Sequence, residues 1–365
     1  MLEIKKFTLL ILSLPFTCTC FALDHVEIKQ SNGQTKTITG KTLVLGREGG
    51  QILQDKFGRL HYLTSEEVTN TKQDGTPFTP ATKEEMGVQV TSELPITSRY
   101  ENFVSKNYVL VYEGGRKGDV QKIASWIEKL NVNFYRLFDK TALKMQPIKL
   151  PLALVVLRDK PRYIRKLQLD TGLSAKEASE TQAYYHLHSN QIVMYNSGVK
   201  ANNVATLMHE ATHQLASNAG LFSRLAKIPV WVTEGLAVFF ETPRQSGQFV
   251  SWDGAGRFSP ARYKITAEFL RQHPKDPILR LVQSDDDFNT DNAKRTEAAY
   301  GLAWAVTRFL VHKRREQYAK YLAKFSQQKP LEKRTMDQRI ADFQAVFGDI
   351  GKLEKAFAVY FKQMK

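Results

Sequence analysis

The chain has 365 residues and a formal net charge of +15, and its 42% hydrophobic and 24% charged content is that of a globular protein with room for a real core. There are no internal repeats and no low-complexity tract, and lysine and arginine are spread out, with clusters no larger than Lys313-Arg314-Arg315 and no nucleic-acid motif. The positive balance favours anionic partners such as cell-envelope polymers, anionic lipid or acidic peptides; the alternative is a solvated surface that serves solubility.

The N-terminus reads as a secretory signal over residues 1–22. Lys5-Lys6 form a basic region, Phe7 to Pro15 (FTLLILSLP) is apolar but too short to span a bilayer, and Cys20-Phe21-Ala22 places small residues at the −3 and −1 positions of a cleavage site. Cys18 and Cys20 raise a lipoprotein alternative, without a Leu-Ala-Gly-Cys-like context. Cleavage after Ala22 removes both cysteines together with Lys5, Lys6 and Glu3, leaving +14. The mature chain then has neither disulfides nor thiolate ligands, so a metal site must use histidine and carboxylate. No other apolar run is long enough to cross a membrane, and the expected location is periplasmic or extracellular.

Residues 23–65 are expected to form a small β-rich module, with Asn32-Gly33 and Gly49-Gly50 as hairpin turns between alternating segments. Residues 66–95 are polar, contain Thr76-Pro77 and Thr79-Pro80, and read as a linker. A larger domain is expected over 96–365. Tyr108–Tyr112 alternates like a strand, Asp119–Phe138 has helical spacing, and Leu150–Leu157 is a strongly apolar strand. Ala183–Leu187 and Gln191–Tyr195 read as strands about a turn at Ser189-Asn190. Asn202 or Asn203 can cap the next helix, which should stop near Asn218-Ala219-Gly220. Pro229 precedes a further helix, and everything after about 260 reads as mainly helical, which makes the fold class α+β.

The helix expected after Asn203 carries His209-Glu210-Ala211-Thr212-His213. Histidines four apart lie on one face, one turn from each other, where one zinc ion can take both imidazoles. Glu234, with twenty residues between it and His213, lies on the following helix and would supply a third ligand. Two imidazoles and one carboxylate leave a position for water, as in a catalytic site, and zinc lowers the pKa of such a water to about 7. Glu210 is placed to act as general base. Tyr300, in Ala298-Ala299-Tyr300-Gly301-Leu302-Ala303-Trp304, is the candidate donor to a developing oxyanion, against the alternative of a core aromatic. Glu241, two turns after Glu234, could bond a histidine ring N–H or be a solvated helix-end carboxylate. His186 and His188 could line a cleft but lack a ligand-like pattern, and Asp285-Asp286-Asp287 lacks the glycine and spacing of a calcium loop.

These motifs resemble the gluzincin clan of metallopeptidases, in which a glutamate downstream of His-Glu-x-x-His is the third ligand. Trp231 to Ala237 is similar to the corresponding run of the aminopeptidase N family, and Tyr300-Gly301-Leu302-Ala303 to its transition-state tyrosine. Thermolysin-like enzymes place an edge strand ahead of the zinc-binding helix; by that likeness Ala183, Tyr184 and Tyr185 would pair with an extended substrate. The chain also resembles a family of secreted bacterial proteins known only as a domain of unknown function with a gluzincin-like fold. The motifs that carry this likeness are Tyr184-Tyr185, His209–Ala216, Asn218–Leu221, Pro229–Glu241 and Ala299–Ala305. The resemblance implies a small mixed sheet, the motif helix and a C-terminal helical subdomain. Two departures stand out: the aminopeptidase Gly-x-Met-x-Asn motif is absent, and the position four after the third ligand, an aspartate in thermolysin-like enzymes, is Val238. The expectation is an exported zinc endopeptidase acting on peptide or protein. A non-catalytic binding module of the cell envelope, or a zinc amidase acting on peptidoglycan stem peptides, are the alternatives.

Overall fold

Val26, Ile38, Leu53 and Leu63 meet as one apolar layer beneath an antiparallel sheet. Its strands are β1 (Ala22–Lys29), β2 (Thr35–Leu45), β3 (Gln51–Gln54), β4 (Leu60–Leu63) and β5 (Val68–Pro77), in the order β4-β3-β2-β1-β5. The two expected hairpin turns are present, with Gly33 and Gly49 at φ of 82° and 90°. The structure is a computed structural model that describes residues 22–95, 98–114, 117–198 and 200–364; the expected signal segment lies outside these residues except for Ala22.

The linker expected over 66–95 is instead folded. β5 pairs antiparallel with β1, from Ala22↔Pro77 to Ile28↔Val68, and helix α1 (Lys83–Ser92) follows. Beyond Val68, β5 keeps its side chains exposed, so ladder hydrogen bonds and the Thr71–Gln51 and Gln73–Asp24 contacts hold it, and its polarity hides it from a hydropathy reading. α1 begins with a Thr82–Glu85 capping box and buries Met86, Gly87 and Val90. The boundary expected at residue 96 also moves. The described residues divide into one compact unit that runs to Val120 and takes in Ile148–Asn196, and another of Gln121–Pro147 with those from Ser197 onward.

The first unit holds a second sheet, made of β6 (Tyr100–Val104), β7 (Tyr108–Glu113), β8 (Leu152–Leu157), β9 (Ala183–His186) and β10 (Gln191–Tyr195), in the order β6-β7-β8-β10-β9. Its central strands β7, β8 and β10 run parallel, while β6 and β9 are antiparallel at the ends, so the sheet is mixed as expected. β8 is buried at all six positions, which explains its unbroken apolar run. Between β7 and β8 comes α2 (Lys117–Phe138), and between β8 and β9 come α3 (Lys160–Thr171) and α4 (Ala175–Ser179). Met86, Val90, Val109, Val155, Tyr163, Leu167 and Val193 share one core.

The second unit takes α2 from Gln121 onward and is otherwise helical apart from one hairpin. In order it contains α5 (Ala201–Asn218), α6 (Val230–Glu241), β11 (Arg244–Ser246), β12 (Phe249–Ser251), α7 (Pro260–Gln272), α8 (Pro277–Gln283), α9 (Ala293–Lys313), α10 (Arg315–Ser326), α11 (Met336–Phe347) and α12 (Ile350–Gln363). α9 is its centre. It packs against α6, α7, α8, α10 and α12 and buries an almost continuous run from Gly301 to Leu310. The protein is thus α+β, with a β-rich N-terminal part and a helical C-terminal part. No helix among the described residues is long and apolar enough to cross a membrane.

Candidate metal centre

Helix α5 buries Val204, Leu207, Met208, Ala211 and Leu215, and this packing turns His209, Glu210 and His213 toward its half-buried side. The expected cap at Asn202 or Asn203 is not used. The helix begins at Ala201, behind Lys200, which makes no side-chain cap. Asn203 is therefore already inside the first turn, and its amide donates back to the Gly198 carbonyl at 2.7 Å. The expected stop is present: Gly220 takes φ of 72°, and Leu221 N–H reaches the Ala216 carbonyl at 3.0 Å.

α6 is fixed at both ends. Pro229 precedes it, and the Asp285 carboxylate accepts the Val230 N–H at 3.0 Å while pairing with Arg339 at 2.8 Å. A carboxylate at a helix N-terminus typically contributes about 1 kcal/mol. At the other end the Trp252 indole N–H donates to the Phe240 carbonyl at 2.7 Å. Two glycines then set how closely the helices approach. A Cβ on Gly235 would lie 2.4 Å from Thr307 Oγ1 and 3.2 Å from the Ala303 carbonyl of α9. A Cβ on Gly301 would lie 2.9 Å from Thr266 Oγ1 of α7. Gly235 directly follows Glu234 and Gly301 directly follows Tyr300, so the closest helix contacts sit beside the two side chains they position.

His209, His213 and Glu234 converge, with one ligating atom from each lying within 4.8 Å of the others. Among the described residues no other group of three His, Cys, Asp or Glu side chains does so. His209 Nε2 is 3.1 Å from Glu234 Oε2, and His213 Nε2 is 3.6 Å from Glu234 Oε1. The imidazole rings meet edge to face, 4.8 Å apart. Their side chains keep 14% and 20% exposure and Glu234 keeps 16%, so the cluster is largely but not fully buried. On its other side, His209 Nδ1 lies 3.1 Å from Glu241 Oε2. Glu241 is thus the carboxylate behind His209, and the hydrogen bond at Nδ1 fixes the ring with Nε2 turned to Glu234. Arg262 donates to the remaining Glu241 oxygen through Nε at 3.1 Å and Nη2 at 3.0 Å.

Tyr300 completes the cluster. Its ring lies 6.3 Å from that of His209, 5.4 Å edge-on from Phe288, and 5.8 Å beneath the Arg262 guanidinium. Burial, followed by the charge of Glu234 and a hydrogen bond to it, pushes the Tyr300 phenol well above its usual range, so it stays protonated and can donate. Burial disfavours the charged form of His209, but the Glu234 and Glu241 carboxylates outweigh it and raise the imidazole pKa well above 6.5. Glu234 is likewise opposed by burial and yet held well below the carboxylate range by His213 and His209. The charge of Glu210 reaches both His209 and Tyr300.

The donor set fits a metal ion: two imidazole nitrogens, one carboxylate and an imidazole oriented from behind, with no cysteine among the described residues. Residues 203–332 match a family model described as Protein of unknown function (DUF1570). That stretch contains His209, Glu210, His213, Glu234, Glu241, Arg262 and Tyr300, and its description names no activity. No curated protein matches the chain.

Other expected site residues fall in the first unit. β9, with Ala183, Tyr184 and Tyr185, is an end strand of its sheet, as the edge-strand expectation requires. Ala183 is buried, the Tyr184 hydroxyl donates to Asp170 at 2.6 Å, and the Tyr185 hydroxyl donates to Asn190 at 2.7 Å. Both tyrosines thus spend their hydroxyls on partners within the fold, while their side chains stay half-buried. His186 bonds Ser189 at 2.9 Å and stacks on His188 at 5.4 Å. Asp285 and Asp287 hold Arg339, Arg280 and Arg295, in keeping with the absence of a calcium pattern. Arg262, Asp285 and the packing roles of Gly235 and Gly301 were not anticipated. A glycine inside an otherwise apolar helix does signal close backbone approach, whereas nothing in the local sequence links Arg262 to Glu241, twenty-one residues away.

Proposed function

We propose that the protein is an exported zinc metallopeptidase of gluzincin type, an endopeptidase. The observation that carries this reading is the convergence of His209, His213 and Glu234, with Glu210 on the same helical turn and Tyr300 beside them. His209 Nε2, His213 Nε2 and a Glu234 oxygen would hold the ion, and two imidazoles with one carboxylate are a ligand set of catalytic zinc. When bound, zinc supplies Lewis acidity to the carbonyl oxygen and makes water a stronger acid.

The chain's own residues divide the remaining work. Glu210 accepts a proton as the oxygen of a water forms its bond to the peptide carbonyl carbon. Tyr300, kept protonated by burial and by Glu234, donates a hydrogen bond to the oxyanion as charge grows there. The C–N bond then breaks, and Glu210 returns its proton to the departing amine. Glu241 keeps the His209 ring from turning throughout. The signal-like N-terminus supports export, and the positive charge suits an acidic peptide or an anionic envelope polymer near the substrate.

The test is Glu210→Gln, assayed on a peptide library beside the wild type. The variant is expected to retain zinc and lose hydrolysis by at least about 10²-fold. Turnover equal to wild type would remove Glu210 from the mechanism.

A further inference from the structure

We infer that Arg262 is a positioning residue of the metal centre, acting on His209 through Glu241. This rests on reading the cluster as a metal site. The Glu241 carboxylate is divided between two partners: Oε2 meets His209 Nδ1 at 3.1 Å, and Oε1 takes both the Nε and Nη2 hydrogens of Arg262. A carboxylate held at only one oxygen can swing about its last torsion. Fixing the second oxygen leaves one orientation, the one that presents Oε2 to the imidazole. Glu241 and Arg262 keep 13% and 23% exposure, so water is a poor substitute for either partner.

The same guanidinium lies over the Tyr300 ring at 5.8 Å, so one side chain braces both the histidine's support and the oxyanion donor. Its own place is secured by the backbone. The Arg262 N–H is capped by Ser259 Oγ at 3.3 Å, and its carbonyl accepts from Thr266 Oγ1 at 2.7 Å, the atom that faces Gly301. α7 is thereby seated on α9 with the arginine directed at Glu241. Lysine keeps the charge but offers no fork, so it is not equivalent at this position.

The experiment measures zinc affinity of the full chain by competition with a chelator, for wild type, Arg262→Met, Glu241→Gln and the double variant. Supporting partners of zinc-binding histidines typically change affinity about 10- to 100-fold. Each single variant is expected to weaken binding by about tenfold or more on that scale, and the double variant to be no weaker than the worse single one, because both act on one path. Arg262→Lys is expected to lose part of the affinity. It decides the matter if Arg262→Met does not fold, as judged by thermal melting without zinc. Wild-type affinity in Arg262→Met, or in Arg262→Lys where that variant decides, would overturn the inference. So would a double variant whose loss is the product of the two single losses. A wild type that binds no zinc would instead overturn the metal-site reading itself.

Discussion

Tyr300 is the residue whose environment says most about its chemistry. It sits against the charges of Glu234 and Glu210, beneath a guanidinium, with its phenol held protonated. An aromatic that served only the core would keep its role if the hydroxyl were removed; an oxyanion donor would not. Tyr300→Phe is therefore expected to lower kcat by about 10²- to 10³-fold with KM nearly unchanged. Steady-state kinetics on a cleaved peptide reads this directly, and an unchanged kcat would return Tyr300 to the core. At this scale the pairing of His209 with His213 was readable from spacing, because a single helical turn fixes them relative to each other. Glu241 was readable as one of two alternatives, and its 3.1 Å contact to His209 matches the supporting one. Arg262 was not readable, since its partner comes from a different helix and sequence distance carries no information about that approach.

Helix α6 carries Glu234 to the histidines, and its position depends on having no side chain at Gly235. α9 lies so close there that a single added methyl would meet Thr307 and the Ala303 carbonyl. Gly235→Ala gains helix propensity but forces the two helices apart, and overpacking of this kind costs about 1–3 kcal/mol. The expected outcome is a lower unfolding midpoint together with weaker metal binding, because Glu234 moves with its helix. Unaltered stability and affinity would mean that α6 and α9 can separate without disturbing the site. Among elements, the strongly patterned ones were legible: β8, β10, α5 and α6 lie where apolar runs, Pro229 and the glycine stop place them. β5 was not, because its side chains after Val68 are mostly polar and exposed, and its partners, on the backbone and through Thr71 and Gln73, come from other strands. α1 carried a legible sign in Thr82-Lys83-Glu84-Glu85, a capping box whose weight was masked by the polarity around it.

Across the whole molecule, the α+β class and the helical C-terminal part follow from local patterns, but the grouping of elements does not. The second sheet joins the N-terminal strands in one compact unit, while residues 121–147 join the C-terminal helices, an exchange of segments that no composition shift along the chain announces. The His209, His213 and Glu234 cluster falls wholly within the second unit, and the match to residues 203–332 falls there too. The central claim is that this unit is built around a bound ion. The most direct measurement is the metal content of the purified protein by elemental analysis, wild type beside His213→Ala. About one zinc per wild-type chain is expected, and its loss in the variant. A wild type that holds no metal, even after zinc is supplied, would contradict it.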